Sequence, residues 1–118
     1  MDTIAPSELT RNKIDEEFLA GVIQYIEENL TDPALDVQLL CRQLGMSRSV
    51  LYRKIKALTG HSIQEFIRSV RLRRARYLLA NTGKSIGEVS YMVGFSNTKH
   101  FSTSFKKEFD VSPSEFRK

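Results

Sequence analysis

Residues 37–58 read VQLLCRQLGMSRSVLYRKIKAL, and residues 86–109 repeat the same pattern as IGEVSYMVGFSNTKHFSTSFKKEF. Each copy has a short apolar segment, a Gly-x-Ser turn and a second segment with one polar and one apolar face. The residues that follow also correspond, as SIQEF at 62–66 and SPSEF at 112–116. A helix, a glycine-containing turn and a second helix are typical of a helix-turn-helix unit. Two such units predict contact with two stretches of the DNA major groove without dimerisation.

Length and composition narrow the function classes. With 118 residues, of which 41% are apolar, the chain can form one domain, or two very small ones sharing a helix. It contains no run of 18 apolar residues and no apolar stretch after a basic N-terminus, so we expect neither a membrane span nor a secretory signal. The chain has a single cysteine, Cys41, which we expect in the core, so no disulfide within the chain is predicted. Its two histidines are far apart in sequence, so no metal site is predicted either. Both features are typical of proteins in the reducing cytoplasm.

Charge is strongly segregated within a net charge of +4. Residues 1–36 carry nine acidic and two basic side chains, whereas residues 37–84 carry eleven basic side chains against Glu65 alone. A basic middle segment is typical of a module that presents one face to a polyanion. No phosphate-binding glycine loop, catalytic carboxylate pair or metal-ligand cluster is evident, so no catalytic residues and no enzyme active site are predicted.

Apolar residues recur at helical spacing throughout, and no segment alternates as a half-buried strand does, so the sequence predicts an all-α fold. We expect a linker over residues 1–14 and a DNA-binding domain over 15–118, with a first helix-turn-helix at 37–58, a connecting helix at 62–80 and a second helix-turn-helix at 86–109. The helices are expected to begin at the capping residues Asp15, Asp36, Ser47, Ser62, Ser85 and Ser96, with Pro113 opening a final turn.

The outer face of the second helix in each unit supplies the candidate base contacts. In the first unit Arg53 is the strongest, because a guanidinium can bind guanine O6 and N7 together; in the second unit it is Lys99. The full set of base-contact candidates is Arg48, Ser49, Tyr52, Arg53, Asn97, Thr98, Lys99 and Thr103. A second interpretation of Tyr52 is that it only packs over the helix surface.

Further residues suit contacts with phosphates, which position a protein on DNA without reading sequence. These candidates are Arg42, Lys54, Lys56, His100 and Lys106, together with backbone N–H groups at Ser85 and Ser96. A connecting helix of about 28 Å is close to the roughly 34 Å between successive major-groove faces on one side of DNA. The spacing therefore favours two recognition helices on one face of the duplex, with some bending.

From about Phe18 to Lys118 the chain resembles the DNA-binding domain of AraC/XylS-type transcriptional regulators. The resemblance rests on LGMSRSVLYRKIKALTG at 44–60, IGEVSYMVGF at 86–95 and FSTSFKKEFDVSPSEF at 101–116. It implies seven helices and a long connecting helix. It also implies base reading by Ser49, Tyr52, Arg53, Thr98, Lys99 and Thr103. Family members often have arginine where this chain has Thr103, which implies weaker or altered reading by the second unit.

The leading segments narrow the resemblance. IAPSE at 4–8, IDEEFL at 14–19, EENLTDP at 27–33 and LYRKIKALTG at 51–60 are similar to the C-terminal output domain of hybrid two-component regulators. Such proteins place a periplasmic sensor, a histidine kinase and a receiver before this domain, and often control polysaccharide-utilisation genes.

The resemblance implies that this chain is a cytoplasmic fragment of a parent anchored in the inner membrane. Its partners would be double-stranded DNA, RNA polymerase and the upstream receiver and kinase modules, with no cofactor. The isolated domain is expected to be monomeric, or to associate weakly on DNA. One alternative is a free-standing small AraC-type activator. Another is a basic helical adaptor for an acidic protein or RNA, which predicts no preference among DNA sequences.

Overall fold

The computed structural model describes the backbone of residues 6–118 and the side chains from residue 12 onward. Within these residues the fold is all-helical, as predicted, with seven helices and no strand. The helices are α1 (Pro6–Glu28), α2 (Val37–Leu44), α3 (Arg48–Thr59), α4 (Ile63–Asn81), α5 (Ile86–Met92), α6 (Thr98–Phe109) and α7 (Pro113–Arg117). No helix in this part of the chain is long and apolar enough to cross a membrane.

Capping side chains set most of the helix starts where the sequence predicts them. Asp36, Ser47, Ser62 and Ser85 each accept a hydrogen bond from the backbone N–H three residues later. This bond satisfies one of the N–H groups that a helix N-terminus leaves without a partner. Ser62 and Ser85 each form a capping box with the glutamate three residues later. These four helix starts are confirmed.

The first helix begins earlier than predicted. Its first residue is Pro6 rather than a residue beside Asp15, so most of the predicted linker is helical. Proline suits a first turn because its missing N–H would have no partner there, and no further proline or glycine interrupts the chain before Gly21. Residues 1–5 of the predicted linker lie outside the described residues, and the domain boundaries remain a prediction.

The sixth helix begins one residue later than predicted. Its N-cap is Asn97, whose Oδ1 accepts the backbone N–H of His100 at 3.0 Å, and not Ser96. The turn before α6 is one residue longer than the turn before α3: the cap follows its glycine by three positions at Gly94 and by two at Gly45. Matching the two Gly-x-Ser turns therefore misplaced the cap.

Helix α4 lies at the centre of the molecule and packs against α1, α3, α5, α6 and α7. Its apolar side joins the cores of the two helix-turn-helix units into one cluster, and Cys41 is buried in that cluster as predicted. Phe101 and Phe105 are fully buried and Phe109 packs beside them. Leu58 follows the buried Leu51 and Ile55 at helical spacing, yet it is 37% exposed near the end of α3.

Candidate nucleic-acid interface

The outer face of α3 is exposed along its length and carries the predicted first-unit candidates. Ser49 and Arg53 are open to solvent, and Tyr52 is half-buried. Arg48 Nη2 donates a hydrogen bond to Tyr52 Oη at 3.1 Å, and its guanidinium lies 5.8 Å from the ring centroid. This hydrogen bond raises the pKa of Arg48 above its ordinary value. The tyrosine ring thus packs over the helix surface, while its hydroxyl lies on the outer face beside a cation.

The outer face of α6 is equally exposed but less basic. Thr98, Lys99, Thr103 and Lys106 all face solvent. Thr103 Oγ1 donates to the carbonyl oxygen of Lys99 at 3.0 Å. Because this bond uses the only hydroxyl hydrogen, Thr103 offers a partner an acceptor and a methyl group. Lys99 is therefore the strongest donor among the base-contact candidates of this face.

The two recognition helices are equivalent in length but not in chemistry. Both have twelve residues, and α6 begins 50 positions after α3. At this offset Arg53 corresponds to Thr103, and Ser49 corresponds to Lys99. The strongest donor therefore lies one turn nearer the N-terminus in α6 than in α3. The two faces are chemically suited to different base-pair sequences.

Several predicted phosphate contacts have partners within the chain. Lys54 Nζ lies 4.6 Å from the centroid of the Phe18 ring, so this half-buried lysine packs toward α1. Lys56 Nζ donates to the carbonyl oxygen of Gly60 at 3.0 Å. Arg42, in the last turn of α2, is exposed. Of these three cations, only Arg42 has no hydrogen-bond or aromatic partner among the residues that the structure describes.

The helix-terminal candidates divide in the same way. Ser85 caps α5 as expected, and its Oγ accepts the N–H of Glu88 at 3.1 Å. Ser96 precedes the N-cap of α6, so its backbone N–H does not belong to the first turn of that helix, where the sequence places it as a phosphate donor. His100 lies on the exposed first turn of α6, with its ring centroid 6.0 Å from that of Phe95. Lys106 is exposed in the last turn.

Arg71 is the main residue that sequence reasoning misplaced. The sequence counts it among the eleven basic side chains of residues 37–84, which are typical of a face presented to a polyanion, but it is only 6% exposed. Its Nη1 donates to the carbonyl oxygens of Leu30 and, at 2.8 Å, Val93, and its Nη2 donates to that of Asp32 at 2.7 Å. Burial lowers the pKa of Arg71. A guanidinium suits this role because its planar fork holds several donors in fixed directions.

The contacts of Arg71 join the two units. Leu30 and Asp32 precede the first unit, and Val93 lies at the turn of the second. Gly94, at φ 88°, leaves room for the guanidinium, because a Cβ there would overlap it and lie 2.7 Å from Cζ. The signal in the sequence is spacing: Arg71 lies four residues before Ala75 and seven before Leu78, both buried. Arg71 therefore fixes how the second turn lies against the first unit.

Comparisons with known proteins agree with this geometry. A family profile described as a helix-turn-helix domain matches residues 40–118. Histidine kinase P4 of Formosa agariphila is 40% identical over 114 residues, which are 97% of this chain and 8% of the kinase. The chain spans about a third or less of the length of the curated relatives it matches.

Solved structures share the fold. The C-terminal domain of AraT, a response regulator from Geobacillus stearothermophilus, is 33% identical with a TM-score of 0.70, and the match covers 80% of this chain and 78% of that one. A Chromobacterium violaceum transcriptional regulator, described as having an AraC-type DNA-binding domain, is 31% identical with a TM-score of 0.79, covering 86% and 90%.

Proposed function

The chain belongs to the AraC-type family of helix-turn-helix DNA-binding domains, and we propose on this premise that α3 and α6 read two successive major-groove segments of one operator. The observation that carries the proposal is the pair of twelve-residue helices, each with an exposed polar face, held on one central helix. A module of this kind regulates transcription by recognising a DNA sequence. One protomer then supplies both reading heads, so binding requires no dimer.

Base reading in the first unit is assigned to Arg48, Ser49, Tyr52 and Arg53. Arg53 suits guanine, since its exposed guanidinium can donate to O6 and N7 together. The hydrogen bond from Arg48 to Tyr52 holds the hydroxyl of this tyrosine beside a cation at the start of the helix. This arrangement suits a phosphate or base edge near the same groove position.

Base reading in the second unit is assigned to Asn97, Thr98, Lys99 and Thr103. Asn97 uses its side-chain oxygen in the cap, which leaves its amide N–H groups to donate. Thr103 offers an acceptor and a methyl group, which suit a cytosine amine or a thymine methyl. Since the two faces differ in the position and type of their donors, we expect an operator with two dissimilar blocks.

We propose further that the domain is the output module of a longer hybrid two-component regulator. Support comes from the match of nearly the whole chain to a small part of a histidine kinase and from the similarity to a response-regulator C-terminal domain. Kinase catalysis would lie in other modules of the parent, and a phosphorylated receiver would control this domain. RNA polymerase is the expected partner on DNA, and polysaccharide-utilisation genes are the expected targets. In this proposal the domain acts in the cytoplasm and its parent is anchored in the inner membrane.

The alternative is a free-standing small activator of the same family. A reading frame that encodes a receiver directly before this segment supports the output-domain proposal. A reading frame that encodes no such modules contradicts it and favours the alternative.

Selection of binding sites from a random DNA pool tests the DNA-reading proposal directly. We expect a motif of two blocks about 10 base pairs apart, centre to centre. Arg53→Ala should relax one block and Lys99→Ala the other, each at a cost of about 1–3 kcal/mol. Arg73→Ala, which removes an exposed arginine from α4, is the control and should leave both blocks unchanged. A motif with only the Arg53 block would make α6 a backbone clamp, and no motif would refute the proposal.

A further inference from the structure

Arg68 lies on α4 between the two helix-turn-helix units, and the proposed DNA contacts do not include it. Its side chain is exposed and lines two adjoining clefts. The first, of about 400 Å³, is bounded by residues 33–35 before α2, by Val37 at the start of α2, and by the turn before α6, residues 94–96. The second is bounded by His61 and by the side of α6 that carries Thr103 and Lys107. Arg68 therefore lies between elements of both units, on the side of α4 that adjoins the DNA-reading face of α6.

The charges around Arg68 favour an anion in the first cleft. That cleft is lined by two arginines, and no carboxylate lines it. Arg71 donates to three backbone carbonyls, whereas Arg68 is exposed. In the second cleft Glu108 accepts the hydroxyl of Ser69 at 2.9 Å, and Glu65 accepts the N–H of the α4 cap at 2.9 Å. Both carboxylates are thus held by neutral donors.

A predicted phosphate contact shares both clefts with Arg68. His100 lines the first cleft and the second, and it lies on the exposed first turn of α6. If α6 occupies a major groove, the DNA strand that flanks this groove passes beside His100. Since Arg68 and His100 line the same two clefts, that strand then passes beside these clefts as well.

We propose that Arg68 binds a DNA phosphodiester between the two major-groove segments and so gives the domain a third contact, made by the connecting helix. This inference rests on the proposed DNA-reading function. Phosphate is the expected ligand because a guanidinium can donate two hydrogen bonds to the oxygens of one phosphate group of the DNA backbone. The contact adds affinity that does not depend on base sequence.

Arg73 provides a matched control on the same helix. It is also exposed, but five helical residues place it about 140° around the helix axis from Arg68. It lines grooves that face α1, at Ile23 and Glu27, and α7, at Phe116. It therefore lies away from the face that adjoins α6.

The test is the salt dependence of affinity for the selected operator, measured by fluorescence anisotropy for wild type, Arg68→Ala, Arg68→Lys and Arg73→Ala. Each phosphate contact releases counterions, so its loss reduces the slope of log K against log salt by about 0.9. We expect Arg68→Ala to show this reduction and to bind about fivefold to tenfold more weakly at low salt, with the base preferences unchanged. Arg68→Lys should retain the slope, and Arg73→Ala should match the wild type.

The outcomes separate the two proposals. If the wild type selects an operator and Arg68→Ala binds it with unchanged slope and affinity, the third contact is refuted and the DNA-reading function stands. Equal losses for Arg68→Ala and Arg73→Ala would indicate a general charge effect and also refute the contact. If the wild type selects no operator, the proposed function fails, and the contact fails with it. Circular dichroism of each variant verifies that it is folded.

Discussion

Replacing Arg71 by methionine keeps a long side chain in α4 but removes every donor from the junction of the two units. The carbonyl oxygens of Leu30 and Val93 would then be left in surroundings that water does not reach, since these residues are 8% and 0% exposed. The carbonyl of Asp32 belongs to an exposed residue and can be hydrated instead. Two charge-assisted hydrogen bonds are therefore lost without replacement.

The magnitude follows from the value of such bonds. A hydrogen bond to a charged group contributes about 1.5–3 kcal/mol, so two give about 3–6 kcal/mol. Methionine recovers part of this loss, because the cost of burying the guanidinium disappears; burial already lowers the pKa of Arg71. We expect a net decrease of about 3 kcal/mol in the free energy of unfolding, against about 5–15 kcal/mol for a typical domain. At about 4 °C per kcal/mol the Tm falls by about 12 °C.

Urea and thermal unfolding, followed by far-UV circular dichroism, measure this decrease. Arg73→Met removes an exposed arginine from the same helix and should change the free energy of unfolding by less than about 0.5 kcal/mol. Arg71→Lys should give an intermediate loss, because one ammonium cannot reproduce the planar fork. If Arg71→Met is as stable as Arg73→Met, the guanidinium does not hold the units together and the reasoning is refuted.

Three further changes test local features of the fold. Gly94→Ala should cost more than about 3 kcal/mol, because its Cβ would overlap the buried guanidinium at a φ of 88°, whereas Gly83→Ala, with nothing within 4 Å, should be nearly neutral; equal Tm values would contradict this. Asn97→Ala should lower the free energy of unfolding by about 1 kcal/mol and Ser96→Ala by much less, and the reverse order in urea unfolding would restore Ser96 as the cap. Hydrogen bonds from the α4 cap lower the pKa of Glu65. The ionised carboxylate of Glu65 therefore stabilises the fold fully above the unfolded-state pKa, near about 4.3, and this stabilisation is lost as pH falls through the lower folded-state pKa. Glu65→Gln should remove that part of the acid dependence in unfolding measured from neutral to acidic pH, and an unchanged pH profile would count against the capping box.

Local signals in the sequence were sufficient for most of the helices. A capping side chain acts on backbone groups within three residues, so Asp36, Ser47 and Ser85 could be recognised without knowledge of the fold. The start of α6 was missed because its turn has one more residue than the turn of the first unit. The start of α1 was missed because a weakly periodic segment gives no apolar stripe, although Pro6 is a suitable first residue.

The candidate site likewise contains residues whose exposure could be predicted from local sequence and residues whose surroundings depend on the tertiary fold. Exposure of Arg53 and Lys99 follows from helical spacing and was predicted. The surroundings of Lys54 and Arg71 depend on groups far away in the chain, the ring of Phe18 and the carbonyls near both turns. From sequence alone, a charged residue is expected on the surface, and its burial becomes evident only when the residues packed around it in the fold are known. Tertiary contacts, rather than local propensity, therefore decided which cations remain available for DNA.

The unbroken course of α4 from Ile63 to Asn81 has a consequence for how such a regulator and its operators can diverge. Adding one residue to a helix turns everything beyond it by about 100° and advances it by about 1.5 Å. Adding one base pair to DNA turns the next block by only about 35°. Insertion of a single residue in α4 therefore cannot compensate for insertion of a single base pair between the two operator blocks. Operators whose two blocks drift apart by one base pair must be accommodated by twisting or bending of the duplex, and the helical phase between blocks is expected to be more strictly maintained than the bases within them.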